Sequence, residues 1–294
     1  MTRFQVTGVN AAQIESWNGP VGHLWAGNAF RERQDRGQGP FGDVAIDALG
    51  LQPGQHVLDI GCGSGSTTFA LANRVGPSGR VVGIDISAPQ LENAKKRAEA
   101  LANRVVEFHH QDVTAFPFEA GTFDRAFSRF GVMFFAEPVD AFVHIRFGMK
   151  PGGRMAFVCW QSAEQNPWST LSTTVASQYL PPPSPPGPDA PGPYALRDRN
   201  RVNRILSEAG FTGIEITAVE RKLTFAPDIT GTVEQLIQYG MLAPAIAQAS
   251  EDIRERIKAD LGEAIQGYQT SDGVMIDGAA WMVTAECPQE AWEP

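Results

Sequence analysis

The residues with the clearest chemical potential lie in one short stretch of the chain. An acid, Asp59, precedes three glycines at alternate positions, Gly61, Gly63 and Gly65. Glycine lets a backbone turn sharply and approach a ligand without interference from a Cβ atom. Further along the chain, Asp85 ends an apolar run, where its carboxylate can accept hydrogen bonds from ribose hydroxyls. The spacing therefore predicts a site for a ligand that contains a nucleoside.

Two buried strands and one helix are predicted to position these groups. The apolar runs at 57–60 and 81–84 are each short enough to be a strand that is buried on both faces. Ser66 and Thr67 follow the glycines and are predicted to cap a helix. The free N–H groups at the start of that helix would then point towards the ligand.

The glycine spacing discriminates between nucleotide cofactors. A dinucleotide fingerprint is Gly-x-Gly-x-x-Gly, and a pyrophosphate would sit poorly beside Asp59. The segment Leu58-Asp59-Ile60-Gly61-Cys62-Gly63-Ser64-Gly65 instead closely resembles the first motif of class I S-adenosylmethionine-dependent methyltransferases. Lys150-Pro151-Gly152-Gly153 resembles the turn that this family has just before its fifth strand. The resemblance is strongest over 56–160, and it is to the small-molecule enzymes related to those of ubiquinone and menaquinone biosynthesis.

The resemblance implies a fold, a cofactor and a reaction. The expected fold is α/β, a Rossmann-like doubly wound sheet of about seven strands with the last strand antiparallel. The implied cofactor is S-adenosylmethionine, which leaves S-adenosylhomocysteine as product. Its methyl group would pass in line to an oxygen, nitrogen, sulfur or carbon atom of a small molecule. Residues 1–50 are expected to form an N-terminal helical cap, in which a helix at 41–49 leads into the first strand. Residues 51–294 are expected to form the cofactor domain, with a Pro-rich lid insertion at 161–196 and a helical insertion at 230–270.

The resemblance also implies which residues bind the cofactor. They are Asp59, Gly61, Gly63, Asp85, Ile86, Asp112, Val113, Ser128 and Trp25. Among these, Asp59 and the glycines would take the amino-acid end, Asp85 the ribose and Asp112 the adenine. Ser128 would lie near the sulfonium.

Aromatic residues and one histidine are the candidates for the acceptor side. The predicted substrate pocket contains Trp17, Phe130, Met133, Trp160 and Trp168, which would suit a planar or apolar acceptor. His23 is the nominal catalytic base, needed only where the acceptor loses a proton early, whereas His144 lies in a predicted helix and is interpreted as structural. Trp17 and Trp25 either close over the site or only hold the N-terminal segment to the core. The Pro-rich segment is interpreted as a lid or pocket wall, with a linker or a ligand for an SH3-type domain as alternatives.

Composition excludes several other classes of function. The net charge of −9 and the isoelectric point near 5.1 disfavour a nucleic-acid surface. No apolar run resembles a signal peptide or a membrane span, and the three cysteines form no CxxC pair. His109 and His110 are adjacent on a predicted strand, so they point to opposite faces and predict no metal site. The sequence predicts a cytoplasmic enzyme with no nucleic-acid or membrane partner, and it leaves a homodimer open.

Two other functions remain alternatives at this stage. One is a non-catalytic regulatory protein that binds S-adenosylmethionine, since cofactor motifs can outlast the chemistry. The other is a nicotinamide-dependent oxidoreductase, against which the glycine spacing and the Lys-Pro-Gly-Gly segment argue.

Overall fold

A mixed sheet forms the centre of the molecule. The computed structural model describes residues 8–181, 184, 187, 189–238 and 240–289. Its strands are β1 (His56–Ile60), β2 (Arg80–Asp85), β3 (Val106–His110), β4 (Phe123–Arg129), β5 (Met149–Trp160), β6 (Thr212–Thr224), β7 (Gln269–Thr270) and β8 (Gly273–Glu286). Across the sheet the order is β3-β2-β1-β4-β5-β8-β6, and the short β7 pairs with β8.

Helices cover both faces of this sheet and its carboxyl edge. They are α1 (Ala11–Asn18), α2 (Pro20–Ala26), α3 (Asn28–Ala48), α4 (Ser66–Val75), α5 (Ala88–Ala100), α6 (Pro138–Gly148), α7 (Pro167–Ala176), α8 (Arg199–Glu208), α9 (Ile229–Leu236), α10 (Ala243–Gln248) and α11 (Glu251–Ala264). Within the described residues, none of these helices combines the length and the apolarity needed to cross a membrane.

The predicted α/β fold is confirmed. The five strands from β3 to β5 run parallel, and β8 is antiparallel to both β5 and β6. Whereas the edge strand β3 is only half-buried, the parallel strands β1 and β2 are buried on both faces, and Leu58, Ala126 and Phe127 are fully enclosed. Such burial explains why these strands appear in the sequence as short apolar runs rather than as alternating patterns.

The topology fixes where a ligand can bind. The chain proceeds outwards from β1 to β2 and β3, and then returns to place β4 on the other side of β1. At such a reversal the two loops leaving the strands diverge and open a crevice at the carboxyl ends of the strands. The loops after β1 and β4 therefore frame the site.

Three local predictions differ from the structure. The helix expected at 41–49 is only the end of α3, which begins at Asn28 and packs across the sheet. Lys150-Pro151-Gly152-Gly153 lies within β5, where the pairing with β4 shifts register, rather than before the strand. Ser66 and Thr67 do not cap α4, because Gly65 occupies the N-cap position and the two hydroxyls bind acids elsewhere.

Candidate active site

A single continuous cavity of about 1390 Å³ lies at the carboxyl edge of β1, β2 and β4. The pocket for one drug-sized ligand usually measures roughly 300–1,000 Å³. This cavity therefore has room for two ligands side by side. One end is formed by the glycine loop (residues 61–65) and the acids that follow β2 and β3, and the other end is formed by aromatic side chains from β4, β5 and α7.

The glycine loop approaches the cavity with its backbone. Gly61, Gly63 and Gly65 have φ values of 67°, 53° and 82°, in the left-handed region that favours glycine. A Cβ atom on Gly65 would also lie 2.9 Å from the ring of Phe108. Ser64, within this loop, is only 7% exposed and its hydroxyl finds no hydrogen-bond partner among the described residues. The loop thus presents peptide groups and one unpaired hydroxyl to a ligand.

Asp85 holds the glycine loop against the end of β2. One carboxylate oxygen accepts a hydrogen bond from the Gly63 N–H at 2.7 Å, and the other accepts one from the Ser87 N–H at 2.8 Å. Burial raises the pKa of Asp85 despite these two bonds. Asp85 and the following Ile86 both line the cavity, as predicted for cofactor-binding residues.

Asp59 occupies a different place from the one that the sequence predicts. It is fully buried beneath the loop and does not line the cavity. Its Oδ2 accepts hydrogen bonds from the Thr67 and Thr68 hydroxyls at 2.7 and 2.6 Å, so it ties β1 to the first turn of α4. Burial raises the pKa of Asp59 to about 6. Its Oδ1 is buried without a hydrogen-bond partner among the described residues. The structure thus places Asp59 in support of the loop, and its direct contact with a cofactor stays a prediction.

Ser128 is also displaced from its predicted role. Its hydroxyl donates to the Ile60 carbonyl at 2.8 Å and accepts from the Gly131 N–H at 3.2 Å. The side chain is 1% exposed and lies outside the cavity wall. Because its hydroxyl is already engaged in joining β4 to β1, Ser128 fixes the crossing of the two loops rather than facing a ligand.

Asp112 and Val113 line the cavity beyond the end of β3, and Asn10 fastens this region. The Asn10 amide donates to Asp112 Oδ2 at 2.7 Å, and its oxygen accepts from the Ala136 N–H at 3.0 Å. The other Asp112 oxygen accepts from the Thr114 N–H at 2.9 Å. One buried side chain that precedes α1 thus joins the ends of β3 and β4.

The aromatic end of the cavity is built on a stack of rings. Phe130 lies parallel to Trp160 with 3.9 Å between ring centroids, and Trp168 is tilted against Trp160 at 5.0 Å. Phe130 has a φ of 60°, a conformation that costs a residue with a Cβ about 1–3 kcal/mol. These three rings and Met133 line the cavity, as predicted for the substrate pocket.

The N-terminal helices cover the cofactor side of the cavity. Trp17 and Trp25 both line it and meet edge to face at 5.1 Å. Asn18 binds the Ile86 carbonyl at 2.8 Å, and the Trp17 carbonyl accepts from the Ser87 hydroxyl at 2.8 Å. Both tryptophans therefore contact the cavity, while Asn18 and the Trp17 backbone fasten the segment to the loop after β2.

His23 does not reach the cavity. Val21, Leu24 and Trp25 share the inner face of α2, as their helical spacing dictates, whereas His23 is exposed on its outer side. The structure therefore gives no support to His23 as a catalytic base, and that role stays a prediction. His144 donates to the Phe116 carbonyl at 2.7 Å, which agrees with its interpretation as structural.

Described residues of the Pro-rich insertion form part of the cavity wall. Gly187 and residues 190–195 line it, and the Gly192 N–H donates to the Met133 carbonyl at 3.1 Å. The Tyr194 hydroxyl is hydrogen-bonded to the Ser169 hydroxyl, and burial raises the Tyr194 pKa to about 12. Residues 182, 183, 185, 186 and 188 of the predicted lid lie outside the described residues.

Comparison with known proteins supplies the family. Residues 51–217 match the profile of a family described as "Methyltransferase domain". The chain belongs to this methyltransferase family. The resemblance found in the glycine motif is therefore confirmed.

Curated relatives match the chain over part of their length. An uncharacterized 37.1 kDa protein in transposon TN4556 of Streptomyces fradiae is 39% identical over 115 residues, which cover 39% of this chain and 33% of that protein. A demethylmenaquinone methyltransferase of Bacillus cereus is 34% identical over 116 residues, 40% of this chain and 48% of that enzyme. The chain thus aligns with less than half the length of either relative.

Solved structures share the fold of the chain. A geranyl diphosphate C-methyltransferase from Streptomyces coelicolor aligns with a TM-score of 0.55 and 18% identity, over 95% of this chain and 98% of that one. Phosphoethanolamine N-methyltransferase 2 from Haemonchus contortus aligns with a TM-score of 0.58 and 21% identity, over 96% of this chain and 61% of that one. At these identities the likeness shows the fold alone.

Three sets of cavity residues on helices escaped prediction. On α3 they are Arg31, Gln34, Asp35 and Gln38, on α7 they are Ser169, Thr170, Thr173 and Thr174, and on α9 to α11 they include Glu234, Ile246, Arg254 and Lys258. The α3 set recurs at helical spacing, so it forms a polar stripe along one face of the helix, where a core-facing helix has an apolar one. This stripe is visible in the sequence, but a polar stripe ordinarily faces solvent and therefore did not indicate a site.

Proposed function

We propose that the protein transfers a methyl group from S-adenosylmethionine to a small-molecule acceptor. The observation that carries the proposal is the continuous cavity, which joins a nucleoside-binding edge to an aromatic compartment. Membership of the methyltransferase family supports the same reaction.

The described residues fit the cofactor. Gly61 and Gly63 expose their backbone to the cavity, and the buried Ser64 hydroxyl there still needs a partner. Asp85 and Asp112 supply carboxylates beyond two neighbouring strands, where ribose hydroxyls and an adenine amino group can donate to them. When bound, S-adenosylmethionine supplies a methyl group that its sulfonium makes electrophilic.

The chain itself contributes orientation and exclusion of water. Holding two reactants in line can supply several kcal/mol of a reaction barrier, up to about 7–11 kcal/mol. The N-terminal helices and the wall at 190–195 cover the cavity and limit the access of water. Phe130 immediately precedes Gly131, which contacts Gly61 of the glycine loop, and an aromatic face attracts a cation such as a sulfonium. We infer that Phe130 and Trp160 form the boundary between cofactor and acceptor.

The proposed acceptor is planar or apolar. Trp160, Trp168, Phe130 and Met133 provide a flat apolar wall, and the hydroxyls of α7 and Tyr194 border it. The names of two similar proteins support this class, since one is a demethylmenaquinone methyltransferase and another acts on geranyl diphosphate. The proposed location is the cytoplasm, where unpaired cysteines such as the buried Cys62, Cys159 and Cys287 are usual.

Calorimetric titration of the purified protein tests the cofactor assignment. The titrants are S-adenosylmethionine, S-adenosylhomocysteine and NAD. The proposal expects binding of the first two and none of NAD, followed by formation of S-adenosylhomocysteine when planar acceptors are added. Binding of NAD alone would overturn the proposal. Cofactor binding without turnover on a broad acceptor panel would favour the non-catalytic alternative.

A further inference from the structure

A cluster of charged side chains lies between α3 and the glycine loop, at the edge of the cavity. Asp35 is at its centre: Oδ2 accepts from the Ser66 hydroxyl at 2.7 Å and from Arg31 at 3.3 Å, and Oδ1 accepts from Arg129 at 3.1 Å. Arg97 donates to the Ser64 carbonyl and to the Ser66 hydroxyl. Arg31, Asp35 and Arg129 all line the cavity.

The charges that this cluster presents to the cavity do not balance. On the cavity wall the Asp35 carboxylate lies beside the guanidinium groups of Arg31 and Arg129, and Arg97 is close by but off the wall. Glu32 pairs with Arg31 from the exposed side of α3, and the buried Asp59 interacts with Arg129 from beneath the glycine loop, so neither carboxylate lies on the wall. The ten-residue α4 begins at the same place with no side-chain cap, so the positive end of its dipole adds to the excess. The cavity wall is therefore suited to an anionic group with a positive group beside it.

Two residues of the cavity wall at this place have buried donors with no hydrogen-bond partner within the described chain. They are Ser64, which is 7% exposed and has an unpaired hydroxyl, and Arg31 on the neighbouring helix, whose Nε is unpaired. Leaving a buried donor unpaired costs about 1–3 kcal/mol. A ligand that accepts from both would recover that cost.

Asp59 does not offer its carboxylate to the cavity. Its Oδ2 is engaged by Thr67 and Thr68 beneath the loop, its Oδ1 is buried without a hydrogen-bond partner among the described residues, and the side chain does not line the cavity. Asp35 does lie on the cavity wall, where it accepts from Ser66 directly after the glycine loop.

We infer that Arg31, Asp35 and Ser64 form the binding site for an α-amino acid group, the amino-acid end of the cofactor. The inference rests on the proposed function and assigns residues to it. Arg31 and the Ser64 hydroxyl donate to the α-carboxylate, and Asp35 accepts from the α-ammonium. Arg129 is a positioning residue, since it holds Asp35 from the end of β4.

Comparison of two ligands isolates this site from the rest of the cavity. S-adenosylhomocysteine carries the amino-acid end, whereas 5′-methylthioadenosine lacks it and keeps the adenine, ribose and sulfur. Calorimetry with both ligands is carried out on the unmodified protein and on Arg31→Met and Asp35→Asn. Arg36→Met is the matched control, because Arg36 is exposed on α3 and does not line the cavity.

The expected result is a selective loss. Affinity for S-adenosylhomocysteine falls about 10- to 100-fold in Arg31→Met and Asp35→Asn, as for a lost charge-assisted hydrogen bond. Affinity for 5′-methylthioadenosine is unchanged in both, which also shows that the variants fold, and the control retains both affinities.

Three results would overturn the inference. The first is that the variants bind S-adenosylhomocysteine as tightly as the unmodified protein does. The second is that the variants lose the same factor of affinity for S-adenosylhomocysteine and for 5′-methylthioadenosine. Neither of these two results contradicts the proposed cofactor. If the unmodified protein binds neither ligand, the proposed function fails, and the inference fails with it.

Discussion

Gly61 and Gly131 cross at the closest approach of the two loops that frame the cavity. A Cβ atom on Gly61 would lie 3.0 Å from the Gly131 Cα, and one on Gly131 would lie 2.8 Å from the Ile60 carbonyl oxygen. The loops after β1 and β4 therefore interlock at the point where the strand order reverses. This contact sets the distance between the glycine loop and the aromatic ring of Phe130.

Replacement of Gly131 by Ala is expected to separate the two loops. The added methyl group meets backbone atoms, which cannot move aside as a flexible side chain can. The free energy of unfolding should therefore fall by about 1–3 kcal/mol. Urea unfolding measures this change. Gly267→Ala is the control, since a Cβ there meets nothing within 4 Å, and it should alter stability by less than about 0.5 kcal/mol. Equal stabilities for the two variants would show that the loops are not in contact.

Removal of the Asp85 carboxylate is expected to abolish cofactor binding while the fold is retained. Asp85→Ala releases the Gly63 and Ser87 N–H groups and removes the proposed ribose partner. Affinity for S-adenosylhomocysteine should fall at least about 10- to 100-fold, with the circular dichroism spectrum unchanged. Asp43→Asn, an exposed change on α3, should have no effect. Unchanged methyl transfer in Asp85→Ala would contradict the cofactor assignment.

The buried Asp59 is expected to make stability fall as the pH rises. Burial raises its pKa in the folded protein from 3.8 to about 6, so between these values the folded state keeps a proton that the unfolded state has lost. The free energy of unfolding should therefore decrease across that window, by on the order of 3 kcal/mol in total.

Asp59→Asn should remove this dependence, because its amide does not titrate. Urea unfolding at a series of pH values between 4 and 7 provides the measurement. The variant should gain stability relative to the unmodified protein as the pH rises through the window. Parallel curves for the two proteins would show that the Asp59 pKa is not raised.

Asn10 is expected to hold the N-terminal helices over the cavity. Asn10→Ala leaves the half-buried Ala136 N–H and one Asp112 oxygen without their partner, a loss of about 1–3 kcal/mol. Amide hydrogen exchange in α1 and α2 should become faster, whereas exchange in β1 stays slow. Glu15→Gln, an exposed change on α1, serves as the control. Unaltered exchange in α1 would mean that other contacts hold the helix.

Local patterns predicted the parts of the fold that depend on local physics. The strands β1 and β2 are buried on both faces, so their apolar runs are visible in the sequence, and the positive φ values of the glycine loop require glycine at fixed positions. Gly61, Gly63, Asp85 and Asp112 consequently lie where the motifs predict, on the cavity wall.

The remaining site residues depend on tertiary arrangement. Arg31 and Asp35 are functional candidates only because α3 turns a polar face towards the cavity, and a polar helix face gives no such indication by itself. His23 was nominated by residue type alone, without regard to the side of α2 on which it falls. Asp59 matched the motif, but its burial follows from the threonines of α4, which the motif does not include.

A crystal structure of the protein with S-adenosylhomocysteine tests the central claim most directly. The account predicts the adenine beside Asp112, the ribose at Asp85 and the amino-acid end at Arg31 and Asp35, with the sulfur directed towards Phe130 and Trp160. The aromatic compartment would then remain open for an acceptor. A ligand bound outside this cavity, or one whose sulfur faces away from the aromatic rings, would contradict the proposed methyl transfer.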